Sequence, residues 1–95
     1  MSVKAYLSAL EINNKSPECH FNLASAYNDL ADYKNAIKHY IKSIELDDTN
    51  LDAYLCLGSV YEQVNQTNKA QSVYERVLTF DASNTKAKEA LAKLI

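Results

Sequence analysis

Four side chains in this 95-residue sequence carry the nitrogen or sulfur donors that bind transition metals or take part in redox chemistry: Cys19, His20, His39 and Cys56. A structural zinc site usually takes cysteines two to four residues apart and histidines at a similarly short spacing. The two cysteines lie far apart, and no such histidine pair occurs. We therefore predict packed or partly exposed side chains at these positions, with no metal and no cofactor.

Catalytic frameworks are also missing from the sequence. Ser25 and Ser59 fall within helical patterns and lack the glycine-bounded turn that exposes a catalytic serine. Gly58 is the only glycine, so a glycine-rich phosphate-binding loop is excluded. Carboxylates are numerous, but nothing in the sequence pairs two of them across an apolar cleft. We predict that the chain is not an enzyme.

The composition is typical of a helix-rich globular domain. Hydrophobic residues make up 47% and charged residues 23%, with one proline, and this usage argues against disorder. A formal net charge of -2 provides no attraction to nucleic acid or to an acidic membrane surface. No apolar run approaches the roughly 20 residues needed to span a bilayer. Two cysteines without a secretion signal favour a cytoplasmic protein, or one in another reducing compartment such as the nucleus.

The elements that would position any site follow from an internal repeat of 34 residues. Small residues in the repeat let one helix approach its neighbour, and large ones fill the space beside them. A helix pair of this kind buries its apolar face only by stacking on the next pair. The identical positions are Leu23/Leu57, Ser25/Ser59, Tyr27/Tyr61, Ala36/Ala70, Tyr40/Tyr74, Asp47/Asp81 and Asn50/Asn84.

This pattern resembles the tetratricopeptide repeat, whose signature is an aromatic residue, Leu-Gly, Tyr, Ala and a second aromatic residue over ~34 residues. The resemblance extends over nearly the whole chain. Ala24 replaces the usual glycine in the first repeat, and Asp48 and Ala82 replace the usual proline near the end of each repeat. The resemblance implies an all-α fold, a right-handed superhelical stack of antiparallel helix pairs known as an α-solenoid.

We predict a single domain over residues 1–95 that the repeat divides into four parts. Residues 1–14 form the second half of a preceding repeat, 17–50 repeat one, 51–84 repeat two and 85–95 a C-terminal capping helix. Because the first helix has no partner before it, we interpret the chain as part of a longer array; a natural start with an unusual cap is the alternative. Self-association through the N-terminal helix is then possible. The predicted helices are 3–12, 17–30, 33–46, 51–64, 67–80 and 85–95.

Helix ends are marked by residues with special backbone roles. Pro17 suits a first helical position, where its missing amide leaves no donor unsatisfied. Asp32 is placed to cap the next helix. Ala31 and Asn65 stand where the family usually has glycine, which predicts a left-handed backbone at both. Three good N-cap residues recur at one repeat position: Ser16, Asn50 and Asn84.

The family resemblance also implies a binding groove, because the first helices of such a stack line its concave surface. Phe21 and Leu55 would bury an apolar side chain of a partner, and Asn22 and Asn28 would bond its backbone. The chain is accordingly interpreted as a protein–protein interaction module that binds a protein or peptide. The predicted groove residues are Phe21, Asn22, Ser25, Asn28, Leu55, Ser59, Glu62 and Lys86. The implied lining also includes Glu18, Asp29, Asp52, Cys56, Gln63, Glu89, Ala90 and Lys93.

Two specialised types of groove in the family do not match. The clamp that holds the acidic tail of heat-shock chaperones needs two lysines, two asparagines and one arginine. Asn22 and Lys86 match it, but Glu18, Cys56 and Ala90 occupy the other three places. The asparagine ladder of arrays on sugar-transferring enzymes retains only Asn22. We therefore predict no binding of acidic chaperone tails.

Other interpretations of the sequence lead to different functions. The chain could be a structural segment of a longer scaffold, or the docking arm of a larger enzyme, with no independent binding. Lys34, Lys38 and Lys42 form a stripe that we interpret as a solvated outer face in preference to a basic partner patch. The repeat places five tyrosines in the core, which argues against base stacking: Tyr6, Tyr27, Tyr40, Tyr61 and Tyr74.

Overall fold

The computed structural model describes residues 16–94, and within that range the chain forms five α-helices and no strand. The predicted helix at 3–12, and the self-association expected through it, lie outside the described residues. Every observed helix ends within one residue of its predicted bounds. The helices are α1 (Pro17–Asp29), α2 (Tyr33–Leu46), α3 (Leu51–Gln63), α4 (Thr67–Phe80) and α5 (Thr85–Leu94).

Each helix packs mainly on its neighbour in the chain. α1 packs on α2 and α3 on α4, and α2–α3 and α4–α5 contacts join one pair to the next. The all-α stack of helix pairs that the family resemblance implied is confirmed. As a result, α1, α3 and α5 hold equivalent places in successive repeats.

The three predicted N-caps are confirmed. The Ser16 hydroxyl accepts a hydrogen bond from the Cys19 amide at 3.4 Å. The Asn50 side chain accepts from two backbone amides at the start of α3. The Asn84 side chain accepts from the Ala87 amide at 2.9 Å. These bonds satisfy amides that the first turn of a helix leaves without a partner.

The prediction that Asp32 caps α2 with its side chain is wrong. Its carboxylate instead accepts a hydrogen bond from the Asn35 side chain at 2.8 Å, and no backbone amide bonds to it. The predicted left-handed backbone is confirmed, since Ala31 has φ 60° and Asn65, its equivalent, has φ 62°. Asp32 itself has ψ 73° and lacks the extended backbone of Ser16 and Asn50, which is the conformation that suits a side-chain N-cap.

The core alternates small and large side chains as the repeat requires. Ala24, Ala36 and Ala70 are completely buried, and they allow the close approach of the helices. Of the five tyrosines predicted in the core, Tyr40, Tyr61 and Tyr74 are buried and Tyr27 is partly buried, while Tyr6 lies outside the described residues. The largest fully buried side chains are Tyr40, Leu23, Val60 and Val77.

Gly58 is buried where the ring of Tyr74 on α4 lies against α3. A Cβ atom at this position would lie 2.6 Å from Cε1 and 2.7 Å from Cζ of Tyr74, well inside van der Waals contact. The absence of a side chain at Gly58 therefore leaves the space that the Tyr74 ring occupies.

Two histidines that are 19 residues apart in the sequence are in contact. The rings of His20 and His39 stack with centroids 5.4 Å apart, and their Nδ1 atoms are 3.2 Å apart. Tyr27 stacks against His39 at 5.6 Å. No group of three or more potential metal ligands occurs among residues 16–94.

We expect acidification from about pH 7.5 to about pH 5.5 to destabilise the protein through His39. Burial, and then the nearby His20 and Lys38, lower the pKa of His39 below its ordinary value of 6.5. The unfolded chain therefore binds this proton more readily than the folded chain. The stabilisation is complete above the ordinary pKa and declines as the pH falls toward the lowered one.

Thermal unfolding at a series of pH values measures this effect. A His39→Phe variant keeps an aromatic ring against Tyr27 and removes the titrating group, so its melting temperature should fall less over the same pH range. Ordinary carboxylates titrate mostly below this range. An equal fall in the wild type and the variant would contradict the assignment to His39.

Candidate functional site

The structure places the eight predicted groove residues on the first helices of the repeats. α1 carries four of them, α3 three and α5 one. Ser59 and Lys86 are exposed and the other six are partly buried, so all eight leave surface accessible. We call this set the candidate groove: Phe21, Asn22, Ser25, Asn28, Leu55, Ser59, Glu62 and Lys86.

Tyr40 connects the second helix of repeat one to the candidate groove. Its hydroxyl lies 3.1 Å from the Ser25 hydroxyl. The ring of Phe21 packs edge-on against the ring of Tyr40, with centroids 5.7 Å apart. A buried aromatic side chain on α2 thus supports both an apolar and a polar groove residue on α1.

Tyr74 has the equivalent role in repeat two but a different partner. Its hydroxyl donates a hydrogen bond to the carboxylate of Glu62. The Tyr74 ring lies against Gly58 of α3. The equivalent residue in repeat one is Ala24. The two repeats therefore share the tyrosine and differ in the groove residue that its hydroxyl supports.

Cys56 links the two repeats beneath the candidate groove. Burial raises the pKa of its thiol, and the nearby Asp52 adds to the rise, whereas a hydrogen bond from Tyr40 and the charge of Lys86 reduce it. Cys56 is thus near Tyr40 of α2, and the charge of Lys86 on α5 influences its thiol.

The phenol groups beneath the groove stay protonated at neutral pH. Burial raises the pKa of Tyr40 to about 12, although its bond to Ser25 opposes the rise. Burial, followed by the hydrogen bond to Glu62, raises the pKa of Tyr74. Together with Cys56 these side chains form an uncharged polar layer, which we call the tyrosine floor: Tyr40, Cys56 and Tyr74.

Sequence reasoning assigned Tyr40 and Tyr74 to the core and missed their part in the site. Both rings are buried as predicted, at 1% and 3% exposure. The available signal was the choice of tyrosine at the second aromatic position in both repeats. A buried phenol usually finds a hydrogen-bond partner, and here that partner lies on the helix that carries the candidate groove.

A separate concavity of about 450 Å³ lies on the outer side of repeat one. It contains none of the predicted groove residues. Lys38 and Lys42, two members of the predicted solvated stripe, line it, and Lys42 pairs with Glu45 at 3.7 Å. The remaining lining residues are His20, His39 and Ile41.

No helix among residues 16–94 has the length and apolar composition needed to cross a bilayer.

Two family models match the sequence. One, described as "TPR repeat", matches residues 25–65, and the other, described as "Tetratricopeptide repeat", matches residues 51–84. Together the matches span residues 25–84, which is more than half of the chain. No curated protein matches the sequence.

Several solved structures share the fold. The first TPR of Spaghetti (RPAP3), solved bound to the HSP90 peptide SRMEEVD, is 25% identical with a TM-score of 0.89, and the match covers 97% of this chain and 73% of that one. The TPR domain of Arabidopsis OM64 is 26% identical with a TM-score of 0.89, covering 97% and 76%. MamA, at 23% identity and a TM-score of 0.92, covers 97% and 54% and shows likeness of fold alone.

Proposed function

Because the chain belongs to the tetratricopeptide repeat family, we propose that it is a non-catalytic interaction module that binds a peptide or partner segment along the candidate groove. The proposal keeps the predicted division into repeat one (17–50), repeat two (51–84) and a capping helix (85–95). Its main support is the way in which buried tyrosines of the second helices hold groove residues of the first helices. A related domain, 25% identical, was solved with a peptide bound.

The candidate groove offers apolar contact and backbone recognition side by side. Phe21 and Leu55 are partly buried and packed against the hydrophobic core. Their apolar surface is therefore already ordered, and little side-chain conformational entropy is lost on binding. The side-chain amides of Asn22 and Asn28 can both donate to and accept from a peptide backbone. Such surfaces bind extended segments at a low entropic cost because their side chains are already ordered.

The hydroxyl bonds of the tyrosine floor add to this order. Ser25 is held by Tyr40 and Glu62 by Tyr74, so two polar groups at the bottom of the groove have defined positions before a partner arrives. A hydrogen bond to a group already in place costs less conformational entropy on binding than one to a mobile side chain.

The proposal can be tested with a library of random 12-residue peptides displayed on phage. Peptides selected on the intact chain would be synthesised, and their affinities measured by isothermal titration calorimetry. We expect Leu55→Ala to weaken binding at least about tenfold, equivalent to ~1.4 kcal/mol. The matched control is Ile41→Ala, which truncates an aliphatic side chain of α2 that is 37% exposed.

The result that supports the proposal is loss of affinity in Leu55→Ala with little change in Ile41→Ala, while the melting temperatures of both variants stay above the assay temperature. Peptides that respond to Ile41→Ala and not to Leu55→Ala would place binding on the outer side of the stack. If no selected peptide binds, the alternative of a structural segment without independent binding is favoured.

A further inference from the structure

The charged residues of this chain are divided between the two sides of the stack. In α1 and α3 every charged side chain is a carboxylate, and neither helix contains lysine or arginine. Three of these carboxylates are exposed and the fourth is partly buried. Since α1 and α3 carry seven of the eight candidate-groove residues, the groove side of both repeats is negative. The four carboxylates are Glu18, Asp29, Asp52 and Glu62.

The second helices show the opposite balance. α2 and α4 carry five exposed cations against two carboxylates. Two of these cations lie against aromatic rings, Lys69 over Tyr61 at 5.8 Å and Arg76 over Phe80 at 5.6 Å. The net charge of -2 for the whole chain therefore conceals a negative first-helix side and a positive second-helix side. The cations are Lys34, Lys38, Lys42, Lys69 and Arg76, and the carboxylates are Glu45 and Glu75.

Three of the four carboxylates lie near the tyrosine floor. Asp29 acts on the Tyr40 hydroxyl and Asp52 on the Cys56 thiol. The Glu62 carboxylate accepts a hydrogen bond from the hydroxyl of Tyr74. Of these three carboxylates Asp29 and Asp52 are exposed, whereas Glu62 is partly buried, so salt screens Asp29 and Asp52 more strongly than Glu62.

The arrangement of these carboxylates favours an extended cation over a metal ion. Among residues 16–94 no three potential ligands come together as a metal ion would require. Asp29 lies at the last turn of α1 and Asp52 at the first turn of α3, so the negative charges are spread over two helices and do not form one cluster. A chain that carries several separated positive charges can pair with them, whereas a single ion cannot.

Building on the proposed function, we propose that the occupant of the candidate groove is a cationic peptide segment. Its lysine or arginine side chains pair with the carboxylates of α1 and α3, and an apolar side chain between them contacts Phe21 and Leu55. Complementary charge of this kind steers association and excludes partners of the wrong sign. Acidic peptides meet repulsion along both repeats.

The positive charges of the proposed peptide lie over repeats one and two and not over α5. Lys86 is the first charged residue of α5 and lies close enough to Cys56 to lower the pKa of its thiol. α5 as a whole carries three lysines and one glutamate. The segment of the peptide over α5 is therefore neutral or acidic, and this gives the peptide a preferred direction in the groove.

The test uses peptides selected on the intact chain from the random 12-residue library, together with matched peptides in which every lysine and arginine is replaced by glutamate. We expect the selected peptides to carry a positive net charge and the matched peptides to lose binding. Raising the salt concentration from about 0.05 M to about 0.5 M should weaken the binding of cationic peptides, because the pairing charges are largely exposed.

Paired charge reversals provide the control. The double variant Asp29→Lys/Asp52→Lys reverses two exposed groove carboxylates, and Glu45→Lys/Glu75→Lys makes the same change in net charge on the second helices. We expect the groove variant to bind cationic peptides at least about tenfold more weakly, and the second-helix variant to bind them no more than about twofold more weakly. Thermal unfolding of both variants shows that each is folded.

The outcomes separate this inference from the function on which it rests. Neutral or acidic selected peptides whose binding depends on Leu55 would overturn the cationic occupant and leave the groove function standing. Cationic peptides that bind equally well to both double variants would also overturn it. Peptides whose binding does not depend on Leu55 would overturn the groove function as well.

Discussion

Replacing Gly58 with leucine is expected to lower the free energy of unfolding by about 1–3 kcal/mol. Even a Cβ atom at this position would lie 2.6 Å from the ring of Tyr74, and the ring is only 3% exposed, so it has little room to move away. The larger side chain must push α3 and α4 apart or displace Tyr74 from the core. Chemical denaturation with urea would measure the loss.

Ser59→Leu is the matched control for this substitution. Ser59 is the next residue of α3 and is exposed, and a substitution at such a site usually changes stability by about 0.5 kcal/mol or less. Similar unfolding midpoints for the two variants would show that α3 and α4 do not approach closely at Gly58. Displacement of Tyr74 would also remove the hydroxyl that holds Glu62, so the Gly58 variant should bind selected peptides more weakly than the unsubstituted chain does.

A peptide ending in Glu-Glu-Val-Asp is expected to show no saturable binding to this chain at micromolar concentrations. Two lysines, two asparagines and an arginine would be needed to hold its carboxylates, and three of the five are replaced. Glu18 is exposed and negative. The Cys56 thiol stays neutral because burial raises its pKa, and a thiol is a weak donor. Ala90 has no donor, so paired carboxylates would remain poorly satisfied.

A gain of binding provides the positive control for this expectation. The triple variant Glu18→Lys/Cys56→Asn/Ala90→Arg restores the three missing donors beside Asn22 and Lys86. Fluorescence anisotropy with a labelled peptide should then show saturable binding to the variant and none to the wild type. Binding to the wild type that Lys86→Ala abolishes would refute the argument. A relative of the same fold was solved with an acidic peptide, and the fold alone does not determine which peptide a groove accepts.

The architecture of this protein was predictable from the sequence because its determinants are local or periodic. The 34-residue spacing of small and large residues predicted each described helix to within one residue. Capping by Ser16, Asn50 and Asn84 depends on atoms no more than three residues away. The left-handed backbone at Ala31 and Asn65 follows from the turn that every repeat makes. The family match agrees with these local patterns.

The detailed chemistry of the groove depended on tertiary structure. The hydroxyl of Tyr40 bonds to Ser25, 15 residues away, whereas that of Tyr74 bonds to Glu62, 12 residues away, although the two tyrosines are equivalent in sequence. The repeats differ at two places near these rings, with Ala24 and Asn28 in repeat one and Gly58 and Glu62 in repeat two. The sequence shows these differences, but only the packing of the two helices decides which group each hydroxyl reaches.

The contact between His20 and His39 has the same origin. The two residues are 19 positions apart and lie on different helices, so no spacing rule for one helix brings them together. Their stacking depends on how α1 lies across α2, and that relation is determined by the small residues packed between the helices. Periodicity thus determined which helices form and which faces they bury, while the distance between paired helices decided which polar atoms meet.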